Sequence, residues 1–246
     1  MNKAIGKWCY LAAAAVLLCL APCALAQTET LQISDPPSNN IVDNIYVGSY
    51  SATNTQTGAN VQIVCDDFKD NSDYNSATYT VNTFNTLGKT LWGSQYTQQY
   101  EEAAYLTLQM LGKTGQEQGY YSYAIWAVFD STDVAAWLTK SGDGSACNNV
   151  FGGGSWSSGK CTAGTGGLLK MASSQNFTPG EFSNFVILTP QGCKNGPGSC
   201  NEQEFLMLMP EGGSAALYLL LAGVSCFGAM FFRQRRQAPG ARPGVV

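Results

Sequence analysis

An uncharged apolar run near the end of the chain constrains the topology of the residues before it. The run, Ser214–Phe232, is 19 residues long, and a helix rising about 1.5 Å per residue would carry it across a hydrocarbon core. Three arginines follow it: Arg233, Arg235 and Arg236. Because clustered arginines stay on the cytoplasmic side, we predict a transmembrane helix over 214–232, a cytoplasmic tail over 237–246 and export of everything before Pro210. A core helix is the alternative, but few core helices lack polar residues on every face.

The first 26 residues have the pattern of a cleaved signal peptide. Two lysines precede an apolar stretch, Leu11–Leu20, that is too short to span a membrane comfortably. Ala24 and Ala26 supply the small-x-small pattern after which signal peptidase cuts, so we expect the mature chain to begin at Gln27. An N-terminal membrane helix is the alternative, and the short apolar stretch argues against it.

Between these two segments the chain is acidic and contains no histidine. The residues from Glu29 to Glu211 hold seven lysines and all 17 acidic residues, a net charge of −10. Such a surface repels the phosphates of nucleic acid and of anionic lipid, so no nucleic-acid partner is expected. The lack of histidine excludes Ser-His-Asp and Cys-His mechanisms and histidine-based metal sites. Lysine or carboxylate chemistry stays open, and a hydrolase of matrix polymers is one alternative, but the sequence shows no catalytic pair, so we expect no enzymatic activity, no metal and no cofactor.

The exported part contains five cysteines: Cys65, Cys147, Cys161, Cys193 and Cys200. Export implies an oxidising compartment in which disulfides persist. One pair brackets the turn sequence KNGPGS and another brackets NNVFGGGSWSSGK, so we predict the disulfides Cys193–Cys200 and Cys147–Cys161. Cys65 is left unpaired, either as a buried small hydrophobe or as a partner in an intermolecular disulfide. A zinc site is the competing interpretation, but the spacings do not match paired CxxC knuckles.

Hydrophobic periodicity predicts an α+β fold for residues 41–208, after a flexible lead over 27–40. NIYVGSYSATN and NVQIVCDDF alternate apolar and polar residues and predict a hairpin. SATYTVNTFNTL, FSNFVILTP and EQEFLMLM predict further strands, while TQQYEEAAYLTLQMLGKT, SYAIWAVFDS and DVAAWLTK have helical spacing. This order predicts an antiparallel β-sandwich or barrel-like sheet with an inserted helical segment. The Gly- and Ser-rich stretch 141–167 is expected to form a long loop within the fold.

The carboxylates offer few candidates for a metal or catalytic site. An acidic cluster follows the hairpin: Asp66, Asp67, Asp70, Asn71 and Asp73. Carboxylates can hold calcium, but the spacing does not match an EF-hand loop, and a solvated loop is the expected structure. Glu101 with Glu102, or Asp130 with Asp133, lie too close in sequence to flank a glycosidic bond.

The tryptophans offer one candidate for stacking on a sugar ring. Trp126 and Trp137 lie in apolar contexts and are expected in the core. Trp156 lies in the glycine-rich stretch and is the better exposed candidate.

Residues 209–236 resemble the PEP-CTERM sorting signal of exosortase-containing Gram-negative bacteria. The shared features are Pro210 and Glu211, the apolar run and the arginine cluster behind it. The third signature position, commonly proline, is Gly212 here, so the tail also resembles the GlyGly-type tails that rhomboid-like proteases process. Both resemblances imply a transient inner-membrane anchor, with signal peptidase and an exosortase-like or rhomboid-like membrane protease as partners. They also imply a place at the cell surface or in an extracellular matrix of exopolysaccharide, as in biofilms.

The body of the chain resembles a group of PEP-CTERM exported proteins, through CDDF at 65–68, YAIWAVF at 123–129 and EFLMLMPE. It resembles more faintly the thioester domains of Gram-positive surface adhesins, in which a cysteine is joined to the glutamine of a Thr-Gln-x-Ala motif. Alignment on Ala124 puts Tyr121 and Ser122 where Thr and Gln belong, so a Cys65 thioester is not expected. These resemblances imply a structural or interaction role in the matrix, with extracellular polysaccharide as a partner. The alternative is an adhesin or carbohydrate-binding module without a thioester, with its site near Cys65 and the helical segment.

Overall fold

Six antiparallel strands close into a barrel in the described part of the chain. The computed structural model describes residues 28–34, 41–70, 76–193, 198, 200 and 202–209. Its strands, in chain order, are β1 (Thr28–Ile33), β2 (Ile41–Val42), β3 (Ile45–Tyr46), β4 (Ser49–Asn54), β5 (Asn60–Cys65), β6 (Ser76–Asn82), β7 (Trp156–Ser157), β8 (Lys160–Cys161), β9 (Phe185–Pro190) and β10 (Phe205–Leu208). Around the barrel the order is β1, β4, β5, β10, β9 and β6, and β6 pairs again with β1. The other strands form two short hairpins, β2 with β3 and β7 with β8.

The described α-helices follow β6 and precede β9 in the chain. They are α1 (Thr97–Met110), α2 (Gly115–Ser141), α3 (Gly144–Phe151) and α4 (Gly167–Ser173). Consecutive helices pack on one another, α1 on α2, α2 on α3 and α3 on α4. The prediction of an α+β fold is therefore confirmed, and its sheet is a barrel and not a sandwich.

The two predicted end segments lie outside the described residues. The chain divides into two units, Met1–Met207 and Leu208–Val246, and the described residues of the second are Leu208 and Met209. None of the helices within the described ranges is long and apolar enough to cross a membrane. The signal peptide over 1–26, the span over 214–232 and the cytoplasmic tail remain predictions.

The predicted hairpin is confirmed as β4 and β5, which pair antiparallel. Asn54 builds the turn between them, because its side-chain oxygen accepts hydrogen bonds from the N–H groups of Gln56 and Thr57 at 3.0 and 3.1 Å. Gly58 completes the turn with a φ of 72°, a conformation that glycine adopts without steric cost. The turn chemistry is thus local and could be predicted from NTQTGA, residues 54–59.

The flexible lead predicted over 27–40 is wrong for residues 28–33, which form β1. This strand pairs with β4 on one side and β6 on the other. Its sequence TETLQI has two apolar residues, Leu31 and Ile33, and they are 0% and 2% exposed. The strand is held by backbone hydrogen bonds to two neighbours, a contribution that composition does not reveal. Residues 35–40 lie outside the described part.

The stretch 141–167 is not the long loop that its glycine content suggested. It contains α3 and the β7–β8 hairpin. Asp143 caps α3, because its carboxylate accepts a hydrogen bond from the N–H of Ala146 at 2.8 Å. Such a cap satisfies one of the free N–H groups of the first turn, so one aspartate starts a helix inside a sequence rich in glycine and serine.

Helix α2 consists of two helical segments joined at Asp130, where φ is −141° and ψ is 75°. The segments correspond to SYAIWAVFDS and DVAAWLTK, the two sequences predicted as separate helices. Asp130 caps the second segment, because its Oδ1 accepts a hydrogen bond from the N–H of Asp133 at 3.1 Å. Trp126 ties the first segment to the end of β5, its Nε1–H donating to the backbone oxygen of Cys65 at 3.0 Å.

Candidate functional site

The segment Cys65–Asp70, at the end of β5, sends some side chains into the protein and others to its surface. Its three aspartates are 0%, 0% and 6% exposed in chain order. Phe68 is half-buried, and the side chain of Lys69 is 38% exposed. The side chains of Trp126 and Gln203 donate to backbone oxygens of the segment at 3.0 and 2.9 Å. One short segment therefore contributes both to a buried acidic cluster and to a surface groove, and its backbone is fixed.

Asp66 and Asp67 interact with Glu204, the residue before β10, and Asp67 also interacts with Asp70. We call Asp66, Asp67, Asp70 and Glu204 the carboxylate cluster. Glu204 has no exposed surface, and it accepts hydrogen bonds from the hydroxyl groups of Tyr100 and Thr189, both at 2.5 Å. A third bond comes from the N–H of Leu91 at 2.9 Å. Asp66 differs, because neither of its carboxylate oxygens has a hydrogen-bond partner among the described residues.

Burial makes three carboxylates of this cluster, Asp66, Asp67 and Glu204, weaker acids than usual. Burial, followed by the charges of Glu204 and Asp67, raises the pKa of Asp66 well above its usual range. Burial and the Asp70 carboxyl raise the pKa of Asp67 to about 7. Burial also raises the pKa of Glu204 to about 7, although its three donors oppose the shift. Since buried charges lose hydration and repel one another, these three carboxylates take up protons at a higher pH than exposed carboxylates would.

The solvated loop predicted for the acidic residues is wrong for Asp66, Asp67 and Asp70. The physical reason is that Glu204, which is more than 130 residues away in the chain, and the helices enclose this segment. Asn71 and Asp73 lie outside the described residues. Within the described ranges, no three His, Cys, Asp or Glu side chains are placed so that they could hold a metal ion.

Cys65 is a buried thiol with no disulfide partner among the described residues. It is 2% exposed, and its Sγ donates to the backbone oxygen of Asp67 at 2.9 Å. Burial, followed by the charges of Asp67 and Asp66, raises its pKa. A protonated and enclosed thiol is a poor nucleophile. Of the two alternatives for this cysteine, the structure favours the buried small hydrophobe over the intermolecular disulfide.

Ser122, which the alignment on Ala124 sets against the glutamine of thioester domains, connects α2 to the start of β4. Its Oγ accepts a hydrogen bond from the N–H of Gly48 at 2.7 Å, and it is 1% exposed. Gly48 has a φ of 92°, and a Cβ there would lie 2.6 Å from the Gln118 side chain. Only glycine allows the backbone to approach α2 so closely in this conformation.

The structure contains both of the disulfides expected from the loop sequences. Cys147–Cys161 joins α3 to β8, and Cys193–Cys200 joins the two ends of a segment that leads from β9 towards β10. Each bond closes a short stretch of chain, with sequence separations of 14 and 7. Disulfides of this kind persist in oxidising compartments.

An open groove of about 390 Å³ lies beside the surface side of the Cys65–Asp70 segment. We call it the Phe68–Trp137 groove, and it is lined by Phe68, Lys69, Asp133, Ala136, Trp137 and Lys140. The last four residues belong to the second segment of α2. Their spacing of three, four and seven residues puts them on one helix face. One wall of the groove is therefore this helix face, and the other is the Cys65–Asp70 segment.

Two aromatic rings form the apolar part of this groove. Phe68 and Trp137 lie 6.2 Å apart between ring centroids, with an angle of 73° between the rings. Trp126, which is 3% exposed, packs against Phe68 with a centroid distance of 5.2 Å. Because Trp126 is itself held by its hydrogen bond to the backbone oxygen of Cys65, it supports the position of the Phe68 ring before any ligand arrives.

The charges around the groove are nearly balanced. Lys69 forms ion pairs with Asp130 at 2.6 Å and with Asp133 at 3.2 Å, and its hydrogen bond to Asp130 raises the pKa of the lysine. Burial opposes ionisation of Asp130, but Lys69 still lowers the pKa of that carboxyl. The ammonium of Lys140 lies 5.3 Å from the centroid of Trp137. Lys69 and Asp130 therefore stay charged at neutral pH, which suits ligand binding better than proton transfer.

A second cleft, of about 560 Å³, lies near the paired residues Thr80 of β6 and Thr189 of β9. Its wall includes Lys89, Thr90 and Leu91. Thr189 and Leu91 are also donors to Glu204, so this wall separates the carboxylate cluster from solvent. The described lining contains no aromatic residue, and the cleft lacks the flat apolar surface of the Phe68–Trp137 groove.

The structure changes which tryptophan is the better candidate for stacking on a sugar ring. Trp126 is in the core as predicted, but Trp137 is half-buried at the groove, so its assignment to the core is wrong. Trp156 packs over Gly144, where a Cβ would lie 2.8 Å from the indole. The i, i+3, i+4, i+7 spacing of Asp133, Ala136, Trp137 and Lys140 was the signal in the sequence that could have found the groove.

The residues predicted for sorting and cleavage, from Pro210 onwards and around Ala26, lie outside the described part. Comparison with protein-family models, with curated proteins and with solved structures finds no match to this chain. The functional argument therefore depends on the geometry above and on the sequence.

Proposed function

We propose that this chain is an exported, non-enzymatic protein of the cell surface or extracellular matrix. The observation that carries the proposal is the pair of disulfides Cys147–Cys161 and Cys193–Cys200, because such bonds are rare in the reducing cytoplasm. The net charge of −10 between the end segments supports it, since an acidic domain stays soluble outside the cell. Its role is structural or interactive, in a matrix of exopolysaccharide such as a biofilm.

In this proposal two proteases process the chain. Signal peptidase cuts between Ala26 and Gln27, and an exosortase-like membrane protease cuts near Pro210 and Glu211. The helix over 214–232 holds the precursor in the inner membrane only until the second cut. The resemblance of 209–236 to the PEP-CTERM signal supports this order of events.

Intact-mass measurement of the protein from culture supernatant and from inner membranes tests the proposal. We expect a secreted species that begins at Gln27 and ends near Pro210. Full-length chain that stays in the inner membrane of a strain with an active sorting protease would refute it. Replacing Pro210 and Glu211 together by alanine should make the precursor accumulate.

A matched variant identifies the type of protease. Gly212→Pro restores the commoner third residue of the PEP-CTERM signature and removes the Gly-Gly pair. An exosortase-like enzyme should process this variant at least as well as the natural chain. A rhomboid-like enzyme that reads the Gly-Gly pair should lose activity on it, and the precursor would then accumulate.

A second candidate function is a non-covalent adhesin or carbohydrate-binding module. The Phe68–Trp137 groove favours it, because fixed aromatic rings and charged side chains border an open surface channel next to Cys65. The enclosed Cys65 thiol and the hydrogen-bonded Ser122 argue for reversible and not covalent binding.

A further inference from the structure

We propose that the Phe68–Trp137 groove binds two adjacent sugar rings of a neutral polysaccharide. The inference deepens the proposed function and rests on it, because a matrix polymer meets this domain only after export. It assigns a binding site, a ligand class and an orientation, and it follows from the shape, the apolar surface and the charges of the groove.

The aromatic rings give the groove a surface that suits the apolar face of a sugar. The C–H groups of a pyranose ring form a flat apolar face, which loses contact with water when it packs on Trp137. Trp137 is half-buried, and the Lys140 ammonium lies over one face of its ring, 5.3 Å from the centroid, so a sugar packs there once this flexible side chain swings to the edge of the ring. Phe68 stands at 73° to it and forms a side wall, which would limit the rotation of a bound ring.

Polar groups at the two ends of the groove match the hydroxyl groups of a sugar chain. Asp133 offers carboxylate oxygens that accept hydrogen bonds, and Lys140 offers an ammonium that donates them. The two residues are seven positions apart on one helix face, which is about 10 Å along the axis and close to the length of two linked sugar rings. Sugar hydroxyls both donate and accept, so one disaccharide unit satisfies both ends.

The charges select a neutral polymer over an anionic one. Lys69 and Lys140 are balanced by Asp130 and Asp133, so the groove has no net charge. No ion pair joins Lys140 to another described residue, but the domain around it carries ten more negative than positive charges. Long-range repulsion therefore disfavours a densely charged uronic-acid polymer. The same repulsion disfavours nucleic acid and anionic membranes.

Contacts within the protein already restrain part of the groove before a ligand binds. Trp126 fixes Phe68, and the Lys69 ion pairs hold the Cys65–Asp70 segment against the second segment of α2. Little side-chain entropy is then lost on binding, which raises the affinity that a small contact area can supply.

Affinity electrophoresis under native conditions tests the proposal. The full chain is exported into the periplasm of a Gram-negative host, purified with its disulfides closed, and run in gels that contain hydroxyethylcellulose, dextran, galactomannan or alginate. We expect at least one of the three neutral polymers to retard the protein and alginate to leave it unretarded. Retardation by alginate alone, or by none of the four polymers, would overturn the proposal.

Three variants locate the site. Trp137→Ala removes the stacking surface and should weaken binding by about tenfold or more, the usual effect of deleting an aromatic anchor. Ala136→Glu places a charged side chain in the groove at an exposed position where glutamate is a good helix former, so it should abolish binding without unfolding the chain. The matched control is Trp156→Ala, which removes a tryptophan of similar burial elsewhere and should bind as the natural chain does.

The variants also separate the two proposals. Unchanged binding by Ala136→Glu, or loss of binding by Trp156→Ala alone, would refute the assignment of the binding site to the Phe68–Trp137 groove. If the chain is secreted and processed as expected but binds no polymer, the binding proposal is refuted and the export proposal is not. If the chain binds a neutral polymer but is never processed or released, the export proposal is refuted and the binding proposal is not.

Discussion

Replacing Glu204 by glutamine removes one buried negative charge and keeps the shape of the side chain. The natural carboxylate accepts hydrogen bonds from Tyr100, Thr189 and Leu91. A glutamine oxygen can accept from the hydroxyl of Thr189 and the N–H of Leu91, and its amide group can donate to Tyr100, whose hydroxyl also accepts. The substitution therefore tests the charge of Glu204 separately from its contacts.

The size of the effect follows from the pKa of Glu204, which burial raises from 4.5 to about 7. The folded protein binds this proton more tightly than the unfolded chain does, so the stabilisation is complete below pH 4.5 and is lost as the pH rises towards 7. Each pKa unit corresponds to about 1.4 kcal/mol. Glu204 alone should therefore lower the free energy of unfolding by about 3 kcal/mol across this range. Asp66 and Asp67 shift in the same direction and should add to the decline.

Equilibrium unfolding in guanidinium chloride, followed by tryptophan fluorescence at pH 5 and pH 8 with the disulfides intact, measures this decline. We expect the natural protein to be less stable at pH 8 than at pH 5. Glu204→Gln should match it at pH 5 and exceed its stability at pH 8 by up to about 3 kcal/mol. The pH dependence that remains would come from Asp66 and Asp67.

Glu204→Ala is the control that removes contacts as well as charge. It leaves the donors of Tyr100, Thr189 and Leu91 without their acceptor, and each buried unpaired group costs about 1–3 kcal/mol. It should therefore destabilise the protein at both pH values. The reasoning is refuted if the natural protein is equally stable at pH 5 and pH 8, or if the glutamine variant loses as much stability at pH 8 as the alanine variant.

Three further predictions concern the disulfides, the bend in α2 and Cys65. Replacing Cys147 and Cys161 together by serine should cost about 3 kcal/mol, because the disulfide closes a separation of 14 residues; a midpoint of unfolding equal to that of the natural protein would contradict this. Asp130→Asn keeps the cap of the second α2 segment and loses the ion pair with Lys69, whereas Asp130→Ala loses both, so the alanine variant should be about 1 kcal/mol less stable than the asparagine variant in the same assay. Iodoacetamide at pH 8 should leave Cys65 unmodified in the folded protein and label it in guanidinium chloride, as judged by peptide mass spectrometry; rapid labelling of the folded protein would show that the thiol is accessible.

Local patterns in the sequence predicted the elements whose stabilising interactions are themselves local. The β4–β5 hairpin follows from alternation and from the turn chemistry of Asn54 and Gly58. The two segments of α2 follow from their helical spacing. In contrast, β1 was missed because TETLQI has little apolar surface, and its stability comes from backbone bonds to β4 and β6, which are far away in the chain.

The candidate site was harder to predict because burial decides the role of each residue there. Asp66 and Asp67 have the composition of a solvated loop, and they become buried because the helices and Glu204 at the start of β10, all distant in the chain, enclose them. Trp137 looked like a core residue because alanine, valine and leucine surround it in the sequence. Its position at the groove depends on where the second segment of α2 points after the bend at Asp130, which no pattern within DVAAWLTK specifies.

If the chain is exported as proposed, the position of β10 in the sequence decides when its barrel can close during translocation. β10 follows every other barrel strand in the sequence, yet it lies between β5 and β9 in the barrel. Until Phe205–Leu208 has emerged, β5 and β9 each keep an open edge that can pair with another chain. The barrel can thus close only after β10 has emerged, and β10 ends just before the predicted processing motif at Pro210. A membrane protease that cuts at this point would release a domain that has only just finished folding, so the speed of barrel closure relative to cleavage would decide how much of the released protein is native.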